Sequence, residues 1–219
     1  VYLHEVLDVW FEQVVKPRLR GQAHMIRYAD DVTMAFACEE DAHRVMKVLA
    51  KRLEKYGLRL NPDKTRIVNF RPPPRNNNDP GDRPGKEPSS FDVLGFRHYW
   101  GRSLRGYWVI KRKTASDRFT RALKRIAQWC KVARHWPIAE QHQQLCQKLR
   151  GHYGYYGITG NCVALGRFKY EVRRVWRKWL GTRSWRAKSN WDWFAQLEQR
   201  FPLPPAVAVH SSLRRAAKL

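Results

Sequence analysis

The spacing of apolar residues changes once along this chain, and the change limits the possible fold more than any other feature. Up to residue 113, short runs with strand-like alternation are interleaved with amphipathic helical stretches, whereas from residue 114 onward the spacing is helical throughout. Strands and helices separated in this way are typical of α+β proteins. We therefore predict an α+β fold with two domains, residues 1–113 and 114–219.

The first part is predicted to contain two helices and a set of short strands. In chain order these are a helix over 3–14, strands over 25–29 and 32–36, a helix over 42–53 ended by Gly57, and strands over 58–60, 66–70, 91–100 and 107–113. The strands at 25–29 and 32–36 flank Asp30 and Asp31, which indicates a β-hairpin with two carboxylates at its bend. A second turn is expected at 61–64.

Residues 71–90 interrupt this order. The segment holds six of the chain's twelve prolines and three consecutive asparagines, and it contains no aliphatic, aromatic or cysteine side chain. Because it has no apolar surface to bury, nothing offsets the entropy cost of ordering it. We predict a flexible, proline-rich insertion here.

The second part is predicted to be helical. Apolar stripes run through 119–130, 138–149 and 165–179, and a short last helix is expected over 193–201. We expect aromatic residues on these stripes, including Trp176 and Trp179, to belong to the core. Cationic residues lie between the apolar positions of the third helix.

Charge is concentrated in this helical part. Residues 91–219 carry 27 basic and 6 acidic side chains, a net +21 of the chain's +24, whereas residues 1–70 carry only +2. A positive excess of this size favours a polyanionic partner, usually nucleic acid. A basic surface that is merely solvated is the alternative.

The cysteines and the apolar runs argue against a zinc-binding protein and against a membrane-spanning protein. The four cysteines form no CxxC pair and have no neighbouring histidine cluster, so we expect reduced thiols in a cytoplasmic protein rather than a zinc site. The apolar runs are far shorter than the ~20 residues that cross a bilayer, so we expect no membrane partner.

Asp30 and Asp31 are the candidate catalytic and metal-binding residues. Adjacent carboxylates repel each other and need a cation or a proton to coexist. Mg²⁺ prefers oxygen ligands, and a pair of such ions can activate a 3′-hydroxyl and stabilise a leaving pyrophosphate. The alternative is an ordinary turn, because Asp is common in turns.

Three ordered blocks resemble the end of the palm in group II intron-encoded reverse transcriptases. They are Tyr28-Ala29-Asp30-Asp31, then Gly57, Leu58, Leu60, Asn61, Lys64 and Thr65, then Leu94-Gly95-Phe96. Further along, Leu149-Arg150-Gly151, Tyr155-Tyr156 and Gly160-Asn161 resemble the maturase-specific region, also called the X or thumb domain. Residues 200–212 resemble the usual tail of bacterial members.

The resemblance implies a fold and a function. Residues 1–113 would be the C-terminal part of a palm and residues 114–219 a helical thumb or maturase domain. The activity would be RNA-directed DNA synthesis with assistance to intron splicing. Mg²⁺ would be the cofactor. The partners would be deoxynucleoside triphosphates, the RNA/DNA primer–template and intron RNA.

Further candidate site residues follow from the same resemblance and, in the helical part, from its mixture of aromatic and basic side chains. Lys64, Asn61 and Tyr28 are candidates for nucleotide binding, although Lys64 could be a solvated turn lysine and Tyr28 a packing residue. Aromatic and arginine planes stack on unpaired bases, and basic groups bind phosphates. The candidates for RNA binding are Arg150, Tyr155, Tyr156, Arg173, Arg174, Arg177 and Lys178.

The sequence also departs from the family pattern. The family's third catalytic carboxylate, its fingers and its Pro-Gln-Gly block have no counterpart here, and Glu5, Asp8 and Asp92 lie in no matching context. The chain starts at Val1 within a helical pattern, so we expect a fragment whose missing N-terminal half is a partner and which is inactive alone. The main alternative is a non-catalytic RNA-binding maturase module or a degenerate remnant. A general DNA-binding protein is less favoured, because no recognition-helix motif stands out.

Overall fold

The structure, a computed structural model, describes residues 2–73, 89–184 and 190–210. Its fold is α+β, as predicted, with two small antiparallel sheets and six helices in these ranges. The chain separates into two compact units, Val1–Leu94 and Gly95–Leu219.

The first unit consists of a helix, a hairpin and a second helix. The N-terminal helix comprises π-helical turns at His4–Val9 and Phe11–Val15 and a 3-10 turn at Lys16–Arg18. Strands β1 (Ala23–Tyr28) and β2 (Asp31–Phe36) follow, then helix α1 (Glu39–Lys55) and a short strand β3 (Ser90–Val93). The two predicted helices and the predicted hairpin are confirmed.

Helix α1 packs against the N-terminal helix and the hairpin through its apolar stripe. The acidic residues in its first turn stabilise the helix, because their negative charge lies near the positive end of the helix dipole. One of them, Asp41, is buried, and its Oδ2 accepts hydrogen bonds from the backbone N–H groups of Arg20 and Gly21 at 2.9 and 3.0 Å. The core of this unit consists of Val6, Leu7, Trp10, Phe11, Val15, Ala23, Val45, Leu49 and Leu53.

Two of the predicted strands were wrong, and a third is divided into two. Within the described range, residues 58–60 and 66–70 form no strand. Leu58 and Leu60 do pack against the core. The alternation of apolar and polar residues here therefore indicates that one side of the segment is buried, and not that its backbone pairs with another strand. The single strand predicted over 91–100 is divided by a turn at Leu94 and Gly95, whose φ angles are 50° and 78°.

The second unit begins with a hairpin and continues with four helices. Strands β4 (Phe96–Arg102) and β5 (Trp108–Thr114) pair antiparallel, with Phe96 opposite Thr114 and Arg102 opposite Trp108. The helices are α2 (Ser116–Ala133), α3 (Ile138–Tyr156), α4 (Cys162–Leu180) and α5 (Trp191–Arg200). All four helices were predicted.

The predicted apolar stripes form the core of this unit. Leu145, Leu149, Leu165, Phe168, Val172, Trp176 and Phe194 are each fully buried. The indole N–H of Trp176 donates to Oε1 of buried Gln141 at 3.0 Å, so its one polar atom is satisfied. Trp176 is therefore core, as expected, whereas Trp179 is only partly buried against it.

Buried Asn161 joins three elements of the second unit. Its Oδ1 accepts from the backbone N–H of Thr114 at 2.9 Å, and its Nδ2 donates to Thr114 Oγ1 and to the Tyr156 carbonyl at 2.9 and 2.8 Å. These bonds tie the end of β5 to the end of α3 and the start of α4. Gly95 lies close by, since a Cβ there would approach the Tyr156 hydroxyl to 2.9 Å.

Two sequence predictions stay predictions. The proline-rich insertion at 71–90 falls mostly outside the described residues, which resume at residue 89. The two compact units meet at Leu94–Gly95, and the functional boundary after residue 113 stays a prediction, because packing units and functional domains need not end together. Among the described residues, no helix has the length and apolar character needed to cross a membrane.

Candidate functional site

The two candidate carboxylates lie at the tip of the β1–β2 hairpin. In the register of the strands Tyr28 is opposite Asp31, which leaves Ala29 and Asp30 as the two residues of the turn. Ala29 has a φ of 54°, in the left-handed region that two-residue hairpin turns require. A non-glycine residue there is strained, and strain of this kind clusters at functional sites.

Both carboxylates face solvent. Asp30 and Asp31 are exposed, and Tyr28, the cross-strand neighbour of Asp31, is 67% exposed. The ring of Tyr28 is therefore not buried against the rest of the described residues, and its role in nucleotide binding stays a prediction. Carboxylate oxygens are the type of ligand that Mg²⁺ prefers, so Asp30 and Asp31 are the residues that would hold such an ion. Among the described residues, no group of three or more His, Cys, Asp or Glu side chains could hold a metal ion.

Arg27 connects the hairpin tip to the N-terminal helix. Its Nε and Nη2 donate to the two carboxylate oxygens of Asp8 at 2.7 and 2.6 Å, and its Nη1 donates to the Ala29 carbonyl at 2.9 Å. The Arg27 and Asp8 side chains are 23% and 24% exposed. One guanidinium therefore fixes the strained turn residue relative to a helix.

The electrostatics of this contact favour the ionised pair. The hydrogen bonds from Arg27 lower the pKa of Asp8 to about 2, with a smaller contribution from His4. The pKa of Arg27 is raised, chiefly by the hydrogen bond to Asp8. The sequence analysis did not select Asp8 or Arg27. The available signal was the position of Arg27 on the inward-facing side of β1, where a charged side chain needs a partner.

Asn61 and Lys64 share a separate turn in the same unit. The backbone N–H groups of Lys64 and Thr65 donate to the Asn61 carbonyl at 3.2 and 3.0 Å, and Asn61 Oδ1 accepts from the backbone N–H of Asp63 at 3.1 Å. The predicted turn at 61–64 is confirmed. Both side chains are exposed, so each is free of packing constraints and accessible to a ligand.

The RNA-binding candidates on α3 have different environments. Arg150 is exposed and Tyr155 is 54% exposed, so both can reach a ligand. Tyr156 packs against the core, and burial raises the pKa of its hydroxyl. Its neighbours include Phe96, with ring centroids 5.3 Å apart. The geometry of Tyr156 is that of a packing residue.

The cationic candidates on α4 differ in their contacts: two form ion pairs with glutamates and two lie near aromatic rings. Arg173 donates from Nε to Glu198 Oε1 at 2.6 Å and from Nη2 to Glu198 Oε2, which raises its pKa and joins α4 to α5. Arg174 forms an exposed pair with Glu171 at 3.1 Å. The Arg177 guanidinium lies 4.3 Å from the ring centroid of Trp191, and the Lys178 ammonium lies 5.6 Å from that of Trp179.

Comparison with known proteins gives one family match, in the part of the chain that contains the hairpin. Residues 1–98 match the family described as Reverse transcriptase (RNA-dependent DNA polymerase). The reverse transcriptase match includes Tyr28, Asp30, Asp31, Asn61 and Lys64, and it ends before helix α2 begins. No curated protein matches the chain.

The reverse transcriptase match supports the RNA-directed DNA polymerase family for this part of the chain. Enzymes of that family are nucleotidyltransferases that act on a template, a primer and nucleotides, and they generally use a divalent metal. A divalent metal held in such a site would supply positive charge near the primer hydroxyl and the leaving pyrophosphate. Asp30 and Asp31 would hold it, and the bond from Arg27 to the Ala29 carbonyl would keep the turn that carries them in place.

Proposed function

We propose that this chain is the C-terminal part of a group II intron-encoded reverse transcriptase that also acts as a maturase. Asp30 and Asp31 would bind Mg²⁺ for RNA-directed DNA synthesis. The helical second unit would bind intron RNA and the primer–template. The observation that carries the proposal is the exposed Asp30–Asp31 pair on a strained hairpin within the reverse transcriptase match.

The polymerase part rests on chemistry that two carboxylates can perform. Positioning and charge neutralisation account for nearly all catalysis of phosphoryl transfer. Adjacent exposed carboxylates on a tight turn offer oxygen ligands close together. Tyr28 supplies a ring beside them, and Lys64 on an exposed turn would bind nucleotide phosphates.

The maturase part rests on charge and on motif resemblance. The +21 of residues 91–219 lies outside the hairpin that carries the acid pair. The resemblance of Leu149-Arg150-Gly151 and Gly160-Asn161 to the maturase-specific region favours intron RNA as the polyanion. Asn161 is also a buried structural residue, so its part in that motif is to hold β5, α3 and α4 together.

Primer extension on an RNA template tests the catalytic half of the proposal. Because no third carboxylate in a matching block occurs among these residues, we expect no extension by the 219-residue chain alone. We expect extension when the fingers and first palm block of a related polymerase are supplied, in one chain or as a separate piece. Asp30→Ala or Asp31→Ala in the complemented protein should abolish extension and leave RNA binding intact.

The other outcomes assign a different function. Extension by the chain alone would mean that another carboxylate completes the site. RNA binding without extension in any complemented form would favour the non-catalytic maturase module. Loss of RNA binding in the aspartate variants would mean that the pair is structural. Splicing of a group II intron, with and without the chain, tests the maturase half separately.

A further inference from the structure

The α4–α5 face of the second unit carries two exposed aromatic rings that the sequence analysis did not select. Tyr170 on α4 is 48% exposed, and Trp191, the first residue of α5, is 40% exposed. Their ring centroids lie 6.5 Å apart, and their planes are within 11° of parallel. Two large rings with a common orientation at the surface offer flat apolar area that the fold itself does not bury.

Arginines of α4 surround these rings. The guanidinium carbon of Arg177 lies 4.3 Å from the Trp191 ring centroid, and that of Arg174 lies 5.9 Å from the Tyr170 centroid. Cation–π attraction holds each guanidinium near its ring. Guanidinium groups are also the side chains that bind phosphate most effectively, through paired N–H donors.

A shallow concavity adjoins this cluster. It has a volume of about 410 Å³, and its lining includes Glu171, Arg174, Arg177 and Lys178. Glu171 pairs with Arg174 at 3.1 Å; the Arg174 side chain is 54% exposed and that of Glu171 is 23% exposed. The exposed part of the Arg174 guanidinium is therefore accessible to a phosphate oxygen while its contact with Glu171 is kept.

We propose that Tyr170, Trp191, Arg174, Arg177 and Lys178 form a platform that binds unpaired nucleotides of a single strand. A base stacks on the rings of Tyr170 and Trp191, and the flanking phosphates bind the cations in the adjoining concavity. The inference rests on the proposed RNA-binding function and deepens it by naming the class of RNA. Arg173 is not part of the platform, because both of its paired donors are bound to Glu198.

The rings are what favour a single strand over a duplex. In a nucleic-acid duplex both faces of each base are covered by neighbouring bases, so a protein ring cannot stack on them. An unpaired base has a free face, and stacking on an aromatic ring accepts any base. A duplex would use only the cations of this surface, and the exposed rings would then have no role.

Binding measurements on the full chain test the platform. Fluorescence anisotropy would follow labelled oligouridylate, oligothymidylate and an RNA duplex over a salt series. The variants are Tyr170→Leu, Trp191→Leu and Arg177→Gln, with Tyr107→Leu as the matched control. Tyr107 is a 61% exposed tyrosine in the β4–β5 connection. Because Trp191 also contacts buried Phe194, Tyr170→Leu is the variant that tests the rings with less risk to folding.

The expected results separate stacking from charge. Tyr170→Leu and Trp191→Leu should each weaken oligouridylate binding about 5- to 100-fold with no change in the salt slope. Arg177→Gln should reduce that slope by about 0.7 for one lost phosphate contact. Duplex binding should be unchanged in both ring variants, and Tyr107→Leu should behave as wild type. If the ring variants lose as much affinity for oligothymidylate as for oligouridylate, the platform binds single-stranded DNA and RNA alike. If they lose affinity for oligouridylate alone, the platform is specific for RNA.

Two results would overturn the inference. Wild-type affinity for oligouridylate in Tyr170→Leu would show that the rings do not stack on bases. An equal loss of duplex binding would show that the cluster binds nucleic acid without regard to pairing. In both cases the chain would still bind RNA, and the proposed function would stand. A wild-type chain that bound no RNA would overturn the proposed function itself.

Discussion

Arg27 on β1 and Asp8 on the N-terminal helix form a two-point ion pair, with Nε–Oδ1 and Nη2–Oδ2 distances of 2.7 and 2.6 Å. The remaining guanidinium nitrogen bonds the Ala29 carbonyl at 2.9 Å. The hairpin tip that carries Asp30 and Asp31 is thus fixed from the inward side of the strand. The side chains of Asp30 and Asp31 themselves are exposed.

Replacing Arg27 should destabilise the first unit and alter its acid sensitivity. The pKa of Asp8 is lowered to about 2 from 3.8, so its contribution to stability is present above pH 4 and is lost as the pH falls through 2. Arg27→Gln should remove that contribution, because the partly buried Asp8 carboxylate loses its partner. Urea unfolding at several pH values below 5 would measure both effects.

The matched control for Arg27→Gln is Arg20→Gln. Arg20 pairs with Glu40 at 2.6 Å, but both side chains are about 70% exposed, and such pairs contribute at most about 1 kcal/mol. We expect the free energy of unfolding to fall clearly more for Arg27→Gln than for Arg20→Gln. Equal losses in the two variants would mean that the Arg27 contact contributes no more than a surface pair.

RNA binding by the chain should depend steeply on salt. The net +21 of residues 91–219 implies that binding releases counterions from several phosphates. With about five phosphates neutralised, affinity should fall roughly 100- to 500-fold between about 50 and 200 mM salt. Filter binding over a salt series measures this slope. A flat response would contradict the electrostatic basis of the proposed RNA contacts.

The second unit should lose stability in mild acid through His152. Burial lowers the pKa of His152 to about 4, and its ring stacks on Phe168 with centroids 3.8 Å apart. A histidine that is neutral when folded takes up a proton on unfolding, so stability falls as the pH drops from about 6.5 to 4. The loss is at most about 3 kcal/mol.

His152→Phe is the variant that isolates this effect. A phenyl ring can stack on Phe168 and carries no titrating group, so its unfolding free energy should change less between pH 7 and 5. The difference between wild type and variant cancels carboxylates that titrate in the same range. Identical pH profiles in the two proteins would mean that His152 is solvated rather than buried.

The sequence allowed most of the fold to be predicted because its signals are local. Helices α1 to α5 follow from apolar stripes such as Leu165, Phe168 and Val172, which are all buried. The turn at Leu94 and Gly95 was missed because Leu is not a residue expected at a φ of 50°. Residues 58–60 alternate like a strand, but alternation shows only that one side is buried and not whether a neighbouring strand exists.

The candidate site was predicted only in part, for a similar reason. Asp30 and Asp31 are adjacent in sequence and lie within a motif, so they can be recognised from a short stretch of sequence. The contacts of Asp8 with Arg27 and of Tyr170 with Trp191 join residues 19 or more positions apart. Which distant residues meet is set by how helices and strands pack, and a pattern of spacing contains no such information.

The left-handed turn residue gives the last prediction. Ala29 has a φ of 54°, which costs an L-residue roughly 1–2 kcal/mol relative to glycine. Ala29→Gly should therefore stabilise the first unit by up to about 1 kcal/mol. Ala29→Val should destabilise it, because a β-branched side chain tolerates this conformation least.

The matched control is Ala35→Val, at an exposed position of β2 where a β-branched residue is favoured. Urea unfolding measures all three. If Ala29→Val proved as stable as Ala35→Val, the turn would not hold Ala29 in the left-handed region. Asp30 would then not be presented by a strained backbone.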